Sequence, residues 1–273
     1  MRRIYILPNL FTAAALLAGL LAIFEVLHPG GGDLFWACQL VLVAAMFDMI
    51  DGLIARLTRT ESSFGLQFDS LADVVSFGVA PALLLYSAIH PTFPLLAKAT
   101  CALYVICAAL RLARFNVQAG REERRAFLGL PSPAAAGVAV SLFWALAARG
   151  ESAAFIIPER LLPPILVVLA YLMVSKFPYL GLKSLPLSKR QPFEILVSIV
   201  VVLSLLIALK QHIDLLLLTG FGLYAASGPA LWLRRMARRG AGTAIEERGA
   251  GSEATRSSAE TARSPLGRGR PSR

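Results

Sequence analysis

The chain has 273 residues, of which 56% are hydrophobic and 16% are charged, and its formal net charge is +10. Its mean hydropathy of +0.65 is too high for a soluble domain, which must cover its surface with water-facing side chains. These values exclude an ordinary soluble enzyme and predict an all-α integral membrane protein.

Turns and charges divide the sequence into about eight candidate transmembrane helices, since a helix needs about 20 apolar residues to cross a bilayer. The first is interpreted as a retained span, because it is longer than a typical signal-peptide core and no small-residue cleavage pattern precedes the turn at His28-Pro29-Gly30. One membrane domain is therefore predicted over residues 1–233. Its candidate spans are 10–27, 34–57, 64–89, 94–113, 132–148, 158–175, 193–209 and 213–233.

The basic residues are distributed unevenly between the two sides of this predicted bundle. With the N-terminus in the cytoplasm, thirteen lie on that side before the tail is counted and four lie elsewhere. Since the lysine and arginine bias sets orientation, both termini are predicted to be cytoplasmic. The thirteen are Arg2, Arg3, Arg56, Arg59, Arg111, Arg114, Arg121, Arg124, Arg125, Lys176, Lys183, Lys189 and Arg190, and the four are Lys98, Arg149, Arg160 and Lys210.

Residues 234–273 carry ten arginines among Gly, Ala, Ser, Thr and Glu, with almost nothing apolar to bury. This composition predicts a basic, disordered cytoplasmic tail. Arg234, Arg235, Arg238 and Arg239 directly follow the last span, where a basic cluster is attracted to anionic lipid headgroups. Membrane lipids therefore account for the positive charge, and no nucleic-acid partner is expected.

Four of the six aspartates, Asp48, Asp51, Asp69 and Asp73, fall within 26 residues of otherwise apolar sequence. Left unpaired in a bilayer, four carboxylates would cost on the order of 10 kcal/mol. Spacings of i,i+3 and i,i+4 place each pair on one helix face, and the short polar connection between the helices predicts antiparallel neighbours. The four carboxylates are therefore expected to converge.

Hard oxygen ligands at this density suit Mg²⁺, Mn²⁺ or Ca²⁺, and Mg²⁺ in particular commonly joins protein carboxylates to substrate phosphates. Two other interpretations of the aspartates remain at this point. The carboxylates can form ion pairs with Arg56 and Arg59, or they can line a proton or cation pathway through the bundle.

Asp48-Met-Ile-Asp51-Gly52-Leu-Ile-Ala55-Arg56, then eight residues to Gly65, then Asp69 and Asp73, resembles the signature of the CDP-alcohol phosphatidyltransferase family. The resemblance implies a core of six transmembrane helices, a homodimer, and a polar cavity open to the cytoplasm in a bacterial inner membrane. It also implies a divalent metal cofactor, Mg²⁺ or Mn²⁺, as two ions.

The same resemblance implies roles for individual residues. Asp48, Asp51 and Asp69 match the principal metal ligands, and Asp73 matches a further ligand or the base that takes the acceptor's proton. The residues that match positions contacting the CDP group are Gly52, Arg56, Ser62 and Gly65. Asn9 and Thr12 are further candidates to border the nucleotide, although polar residues also suit the helix N-terminus that begins there.

Segments outside the signature look like those of bacterial phosphatidylserine synthases. They are Leu7–Thr12, Asp69–Pro81, Arg111–Asn116 and Gly129–Pro133. This resemblance implies L-serine as the acceptor, with phosphatidylserine and CMP as products. Arg111 and Arg114 are then candidates for the serine carboxylate, although positive-inside topology explains both, and Asn116 either orients serine or caps its helix.

Two alternatives to a serine transferase stay open. The acceptor can instead be glycerol 3-phosphate, inositol phosphate or choline, although a phosphorylated acceptor needs a denser basic pocket than the sequence obviously supplies. A cation transporter would use the aspartates as its binding site, but neither inverted repeats nor matching broken helices are evident in the sequence.

Overall fold

The computed structural model describes residues 6–29, 32–58, 62–119, 129–149, 158–179, 214–234 and 236, and over these ranges it is helical without any β-strand. The elements in chain order are α1 (Ile6–Leu27), α2 (Leu34–Thr58), α3 (Ser63–Asp73), a π-helical segment (Val74–Val79), α4 (Ala80–Ile89), α5 (Pro94–Ala119), α6 (Ser132–Arg149), a 3₁₀ turn (Glu159–Leu161), α7 (Leu162–Val174) and α8 (Asp214–Arg234).

These helices confirm a multi-pass membrane protein. Five stretches are long and apolar enough to cross a bilayer, namely Pro8–Leu27, Leu34–Ile54, Ser63–Ile89, Pro94–Val117 and Asp214–Arg234. Two further apolar helices, Ser132–Ala147 and Leu162–Val174, are shorter. The predicted span 193–209 and most of the tail lie outside the described residues.

The core and the site described below belong to one compact unit, Met1–Gly228. Small residues bring its first two helices together: Ala15, Ala18 and Ala22 are buried on α1, as are Ala37 and Ala44 on α2. With lipid on the outside, such small side chains let backbones approach and gain van der Waals contact. The short connection between α1 and α2 makes them an antiparallel pair.

Helix α1 also packs against α3, so it flanks both helices that carry the aspartates. Of the elements that follow it in the described chain, α2 packs mainly against α6, and also against α4 and the π-helical segment, rather than against α3 itself. This differs from the prediction that α2 and α3 pack as direct neighbours. A close approach of α1 explains the arrangement, because a Cβ on Gly19 would lie 2.8 Å from the Cα of Ser76 in the π-helical segment.

The π-helical segment begins directly after Asp73 and was not anticipated from sequence. At its end the backbone N–H of Ala80 donates to the carbonyl of Val75, five residues earlier. Pro81 follows and has no N–H to offer the carbonyl of Phe77 four residues back, which would break a regular helix. The hydroxyl of Tyr104 donates to that carbonyl at 3.2 Å instead, so α5 stabilises the irregular turn.

The loop before α6 is attached to the end of α7 by its backbone. Gly129 N–H donates to the carbonyl of Phe177 at 2.9 Å, and Leu130 N–H donates to the carbonyl of Leu172 at 2.9 Å. Gly129 has φ +88°, and a Cβ at this position would run into the carbonyl oxygen of Met173. Glycine is therefore required here by both backbone conformation and space.

Replacing Gly129 by alanine is expected to destabilise the protein by about 1–3 kcal/mol, because it adds strain at a positive φ and a contact with backbone that cannot move freely. Thermal unfolding in detergent measures the loss. Gly222→Ala in α8 is the matched control, since a Cβ there meets nothing within 4 Å. Similar melting temperatures for the two variants would contradict this account of the loop.

Candidate metal centre

The aspartates of α2 and α3 converge as predicted. One carboxylate oxygen from each of Asp48, Asp51 and Asp69 lies within 4.8 Å of the others. The i,i+3 spacing directs Asp48 and Asp51 to one face of α2, and Asp69 lies on α3 opposite that face. Such a spacing of ligand atoms is compatible with one or more small cations between the helices.

Asp73 joins the same cluster from the last turn of α3. Its carboxyl group interacts with that of Asp48, which in turn interacts with that of Asp69. The Asp73 side chain is 9% exposed and that of Asp51 is 6% exposed. The four groups thus form a single acidic centre that is largely removed from solvent.

The described residues compensate the charge of this centre only in part. Among them Arg111 is a basic residue whose charge acts on Asp48 and Asp73, and one arginine offsets only part of the charge of four carboxylates. Carboxylates at hydrogen-bond distance repel one another unless they share protons or a cation lies between them. An all-oxygen donor set of this kind fits a hard divalent ion such as Mg²⁺, Mn²⁺ or Ca²⁺.

Helix α1 adds a contact to the acidic centre. The Thr12 hydroxyl donates to Asp51 Oδ2 at 2.6 Å, and both side chains are buried. Thr12 was predicted to border the nucleotide. In the structure its hydroxyl instead contacts Asp51, a predicted metal ligand. No sequence signal links these residues, because they are 39 positions apart on different helices.

Three of the six predicted CDP contacts, Asn9, Ser62 and Gly65, form a second group at the start of α3. Ser62 caps this helix, its Oγ accepting from the N–H of Gly65 at 2.9 Å. A Cβ on Gly65 would lie 3.1 Å from Asn9 Oδ1 and 3.1 Å from Ser62 Oγ, so these three residues are adjacent. Gly52 follows Asp51 on α2, and the side chain of Arg56 lies outside the described residues.

Arg111 is the predicted serine-binding residue that lies beside the aspartates. It is 9% exposed, and its Nη1 donates to the buried Ser132 Oγ at 2.7 Å. Its Nε finds no hydrogen-bond partner in the described part of the chain. No role was predicted for Ser132 within the segment Gly129–Pro133, and the structure shows that its hydroxyl binds the guanidinium.

Arg114 and Asn116 bind neighbouring helices. Arg114 Nη1 donates to the Val174 carbonyl at 3.2 Å, satisfying an acceptor at the end of α7. The Asn116 amide donates to Ser70 Oγ at 2.9 Å and to Gln67 Oε1 at 3.3 Å on α3. Helix α5 runs to Ala119 rather than to residue 113, so Asn116 is not a helix cap, and serine binding by either residue stays a prediction.

Comparison with known proteins agrees with this arrangement. Residues 5–175 match the family model for CDP-alcohol phosphatidyltransferase. A CDP-diacylglycerol–serine O-phosphatidyltransferase of Helicobacter pylori is 36% identical over 240 residues, covering 86% of this chain and 94% of that protein. An archaetidylserine synthase of Methanothermobacter thermautotrophicus is 40% identical over 176 residues, covering 63% and 69% of the two chains. This chain therefore belongs to the CDP-alcohol phosphatidyltransferase family.

Proposed function

We propose that this protein transfers the phosphatidyl group of CDP-diacylglycerol to the hydroxyl of L-serine, giving phosphatidylserine and CMP. The observation that carries the proposal is the acidic centre formed by Asp48, Asp51, Asp69 and Asp73 within the segment that matches the family. The names of the two relatives above both include serine, and one of them includes CDP-diacylglycerol as well.

The reaction explains why carboxylates are needed at this position. The serine oxygen forms a bond to the phosphorus attached to diacylglycerol, while the bond from that phosphorus to the CMP oxygen breaks. Negative charge then grows on the leaving phosphate, and a bound divalent ion supplies the compensating positive charge. Asp48, Asp51 and Asp69 would hold the ion, and an oxygen of Asp73 would accept the proton of the serine hydroxyl.

The metal is proposed to be Mg²⁺ or Mn²⁺, as two ions. The support is the number of carboxylates, since Asp73 adds a fourth oxygen donor next to the three that already lie within 4.8 Å. Two ions held by these carboxylates would supply positive charge for the charge that develops during the transfer. Asn9, Gly52, Arg56, Ser62 and Gly65 are proposed to contact the CDP group, the glycines allowing backbone and phosphate to approach closely.

Arg111 is proposed to bind the serine carboxylate. It lies beside the aspartates and retains a buried Nε–H without a partner among the described residues. Arg114 and Asn116 remain weaker candidates, because their described hydrogen bonds go to α7 and α3. Among the described residues Arg111 is the basic side chain whose charge acts on this centre, and a phosphorylated acceptor would require more positive charge than it brings, which favours serine.

Arg111→Lys is expected to raise the KM for serine about tenfold or more, because lysine keeps the charge but loses the planar fork that binds a carboxylate through two N–H groups. The KM for CDP-diacylglycerol should change less. Both constants come from CMP release at varied serine and lipid concentrations. Arg114→Lys is the comparison, and it is expected to raise the KM for serine by less. A larger increase in Arg114→Lys than in Arg111→Lys would indicate that Arg114 binds the serine carboxylate.

We propose that the protein crosses the membrane with the topology predicted from its sequence. Eight spans, six of them forming the catalytic core, would place both termini and the acidic centre on the cytoplasmic side of an inner membrane. The support is the excess of basic residues in the loops assigned to that side. Residues 1–233 would form the membrane domain and 234–273 a cytoplasmic tail, and a homodimer is proposed from the family resemblance.

The decisive experiment measures CMP release by the purified protein with CDP-diacylglycerol and Mg²⁺ or Mn²⁺. Serine, glycerol 3-phosphate, inositol phosphate, choline and no acceptor are compared, and serine-dependent release is expected. Release with another acceptor would retain the donor and metal centre but reject serine. Absence of CMP release under every condition would reject the transferase activity. No observation on the described residues favours a cation transporter.

A further inference from the structure

The buried hydroxyl of Thr12 joins α1 to the acidic centre. Its hydrogen bond to Asp51 Oδ2 is 2.6 Å long, and Thr12 is 4% exposed. The two residues are 39 positions apart, so a group that orients Asp51 comes from a different helix, α1.

The Thr12 hydroxyl is itself held in place. Its oxygen lies 3.2 Å from the carbonyl of Pro8, four residues earlier, which is the usual position of a threonine hydroxyl in a helix. A hydroxyl has one proton, and the carboxylate is both nearer and charged, so the proton goes to Asp51. The rotamer of Thr12 thus points a single donor at one carboxylate oxygen.

Helix α1 lies against both helices that carry the predicted metal ligands. Helix α1 packs along α2, which carries Asp51, and also against α3, which carries Asp69. A hydrogen bond to one oxygen restricts rotation of the Asp51 carboxylate. Its ligand atom is thereby held near those of Asp48 and Asp69, all three lying within 4.8 Å of one another.

We infer that Thr12 is a positioning residue for the metal centre, holding the Asp51 carboxylate in the orientation that binds the ion. This inference rests on the metal site of the proposed function but not on the acceptor. Groups that hydrogen-bond to metal ligands commonly change metal affinity by about 10–100-fold when they are removed. The role differs from nucleotide contact, because the hydroxyl proton is already engaged by Asp51.

Thr12→Val is the direct test, since valine has nearly the same shape and lacks the donor. Mn²⁺ binding to the purified protein, without lipid or serine, is measured from the electron paramagnetic resonance signal of free Mn²⁺. The dissociation constant is expected to rise about tenfold or more in Thr12→Val. Thr12→Ser, which keeps the hydroxyl, should stay within about threefold of the wild type.

Thr100→Val is the matched control. Thr100 is also 4% exposed in a helix, but its hydroxyl donates to the carbonyl of Leu96 at 2.8 Å within α5. It should bind Mn²⁺ like the wild type. Size-exclusion chromatography of all variants verifies that each is folded.

Unchanged Mn²⁺ affinity in Thr12→Val would overturn the inference, and a simultaneous loss of CDP-diacylglycerol binding would identify Thr12 as a nucleotide contact. Thr12→Ser binding Mn²⁺ as weakly as Thr12→Val would also overturn it, by assigning the effect to shape. If the wild type does not bind Mn²⁺, both the proposed metal site and the role of Thr12 are rejected. Because serine is absent, these results are independent of the acceptor assay.

Discussion

Asp48→Asn is expected to reduce CMP release by about 10²–10³-fold or more, because Asp48 lies at the middle of the acidic centre. Its carboxyl group is close to those of Asp69 and Asp73, and one of its oxygens lies within 4.8 Å of ligand atoms from Asp51 and Asp69. An amide at this position keeps the shape but loses the charge that holds a divalent ion. Loss of one preorganised group that stabilises developing charge typically has an effect of this size.

CMP release and Mn²⁺ binding measure the two consequences of Asp48→Asn separately, and both are expected to fall. Asp33→Asn is the control, since Asp33 is exposed at the start of α2, where its Oδ1 accepts from the Trp36 N–H at 2.9 Å. The Asp33→Asn variant loses a carboxylate just before the first residue of α2, and this carboxylate is not part of the acidic centre. Wild-type Mn²⁺ affinity in Asp48→Asn would reject Asp48 as a ligand.

Asp73→Asn is expected to abolish transfer while binding of CDP-diacylglycerol remains detectable. Asp48, Asp51 and Asp69 still form the cluster within 4.8 Å, so the ion and the donor retain their principal contacts. An amide cannot accept the proton of the serine hydroxyl, and loss of a general base typically costs about 10²–10⁴-fold in rate. CMP release gives the rate, and equilibrium binding of a labelled CDP-lipid gives the affinity.

The two roles considered for Asp73 lead to different outcomes in that experiment. Loss of transfer with Mn²⁺ and lipid binding retained identifies the base. Loss of Mn²⁺ binding together with transfer would make Asp73 chiefly a ligand, and activity equal to the wild type would reject both roles. Asp33→Asn serves again as the control for removal of an aspartate carboxylate.

The helices were predictable from sequence because a bilayer imposes a simple length requirement on apolar segments. The predicted spans 10–27, 34–57 and 64–89 correspond to α1, to α2 and to the continuous helix from Ser63 to Ile89. The end of α5 was predicted too early, since the candidate span ended at residue 113 and Asn116 was a candidate helix cap. The helix runs to Ala119, and the side chains of Arg114 and Asn116 bind neighbouring helices.

The irregular turn after Asp73 was not predictable in the same way. Hydropathy does not distinguish a π-helical segment from an α-helix, and Pro81 alone indicates only that a hydrogen bond is missing. The partner that replaces it is the hydroxyl of Tyr104, which lies 27 positions from Phe77. Such a compensation depends on which helices pack together.

The sequence by itself determined that each pair of aspartates lies on one helix face, because their spacings are i,i+3 and i,i+4. Only the tertiary structure decided how the two faces meet, since α1 packs against both α2 and α3, and what surrounds the acidic centre. The contacts of Thr12 with Asp51, of Arg111 with Ser132 and of Asn116 with Ser70 join residues 39, 21 and 46 positions apart. The physical reason is that local spacing sets the direction of a side chain, whereas its partner depends on how separate helices pack against one another.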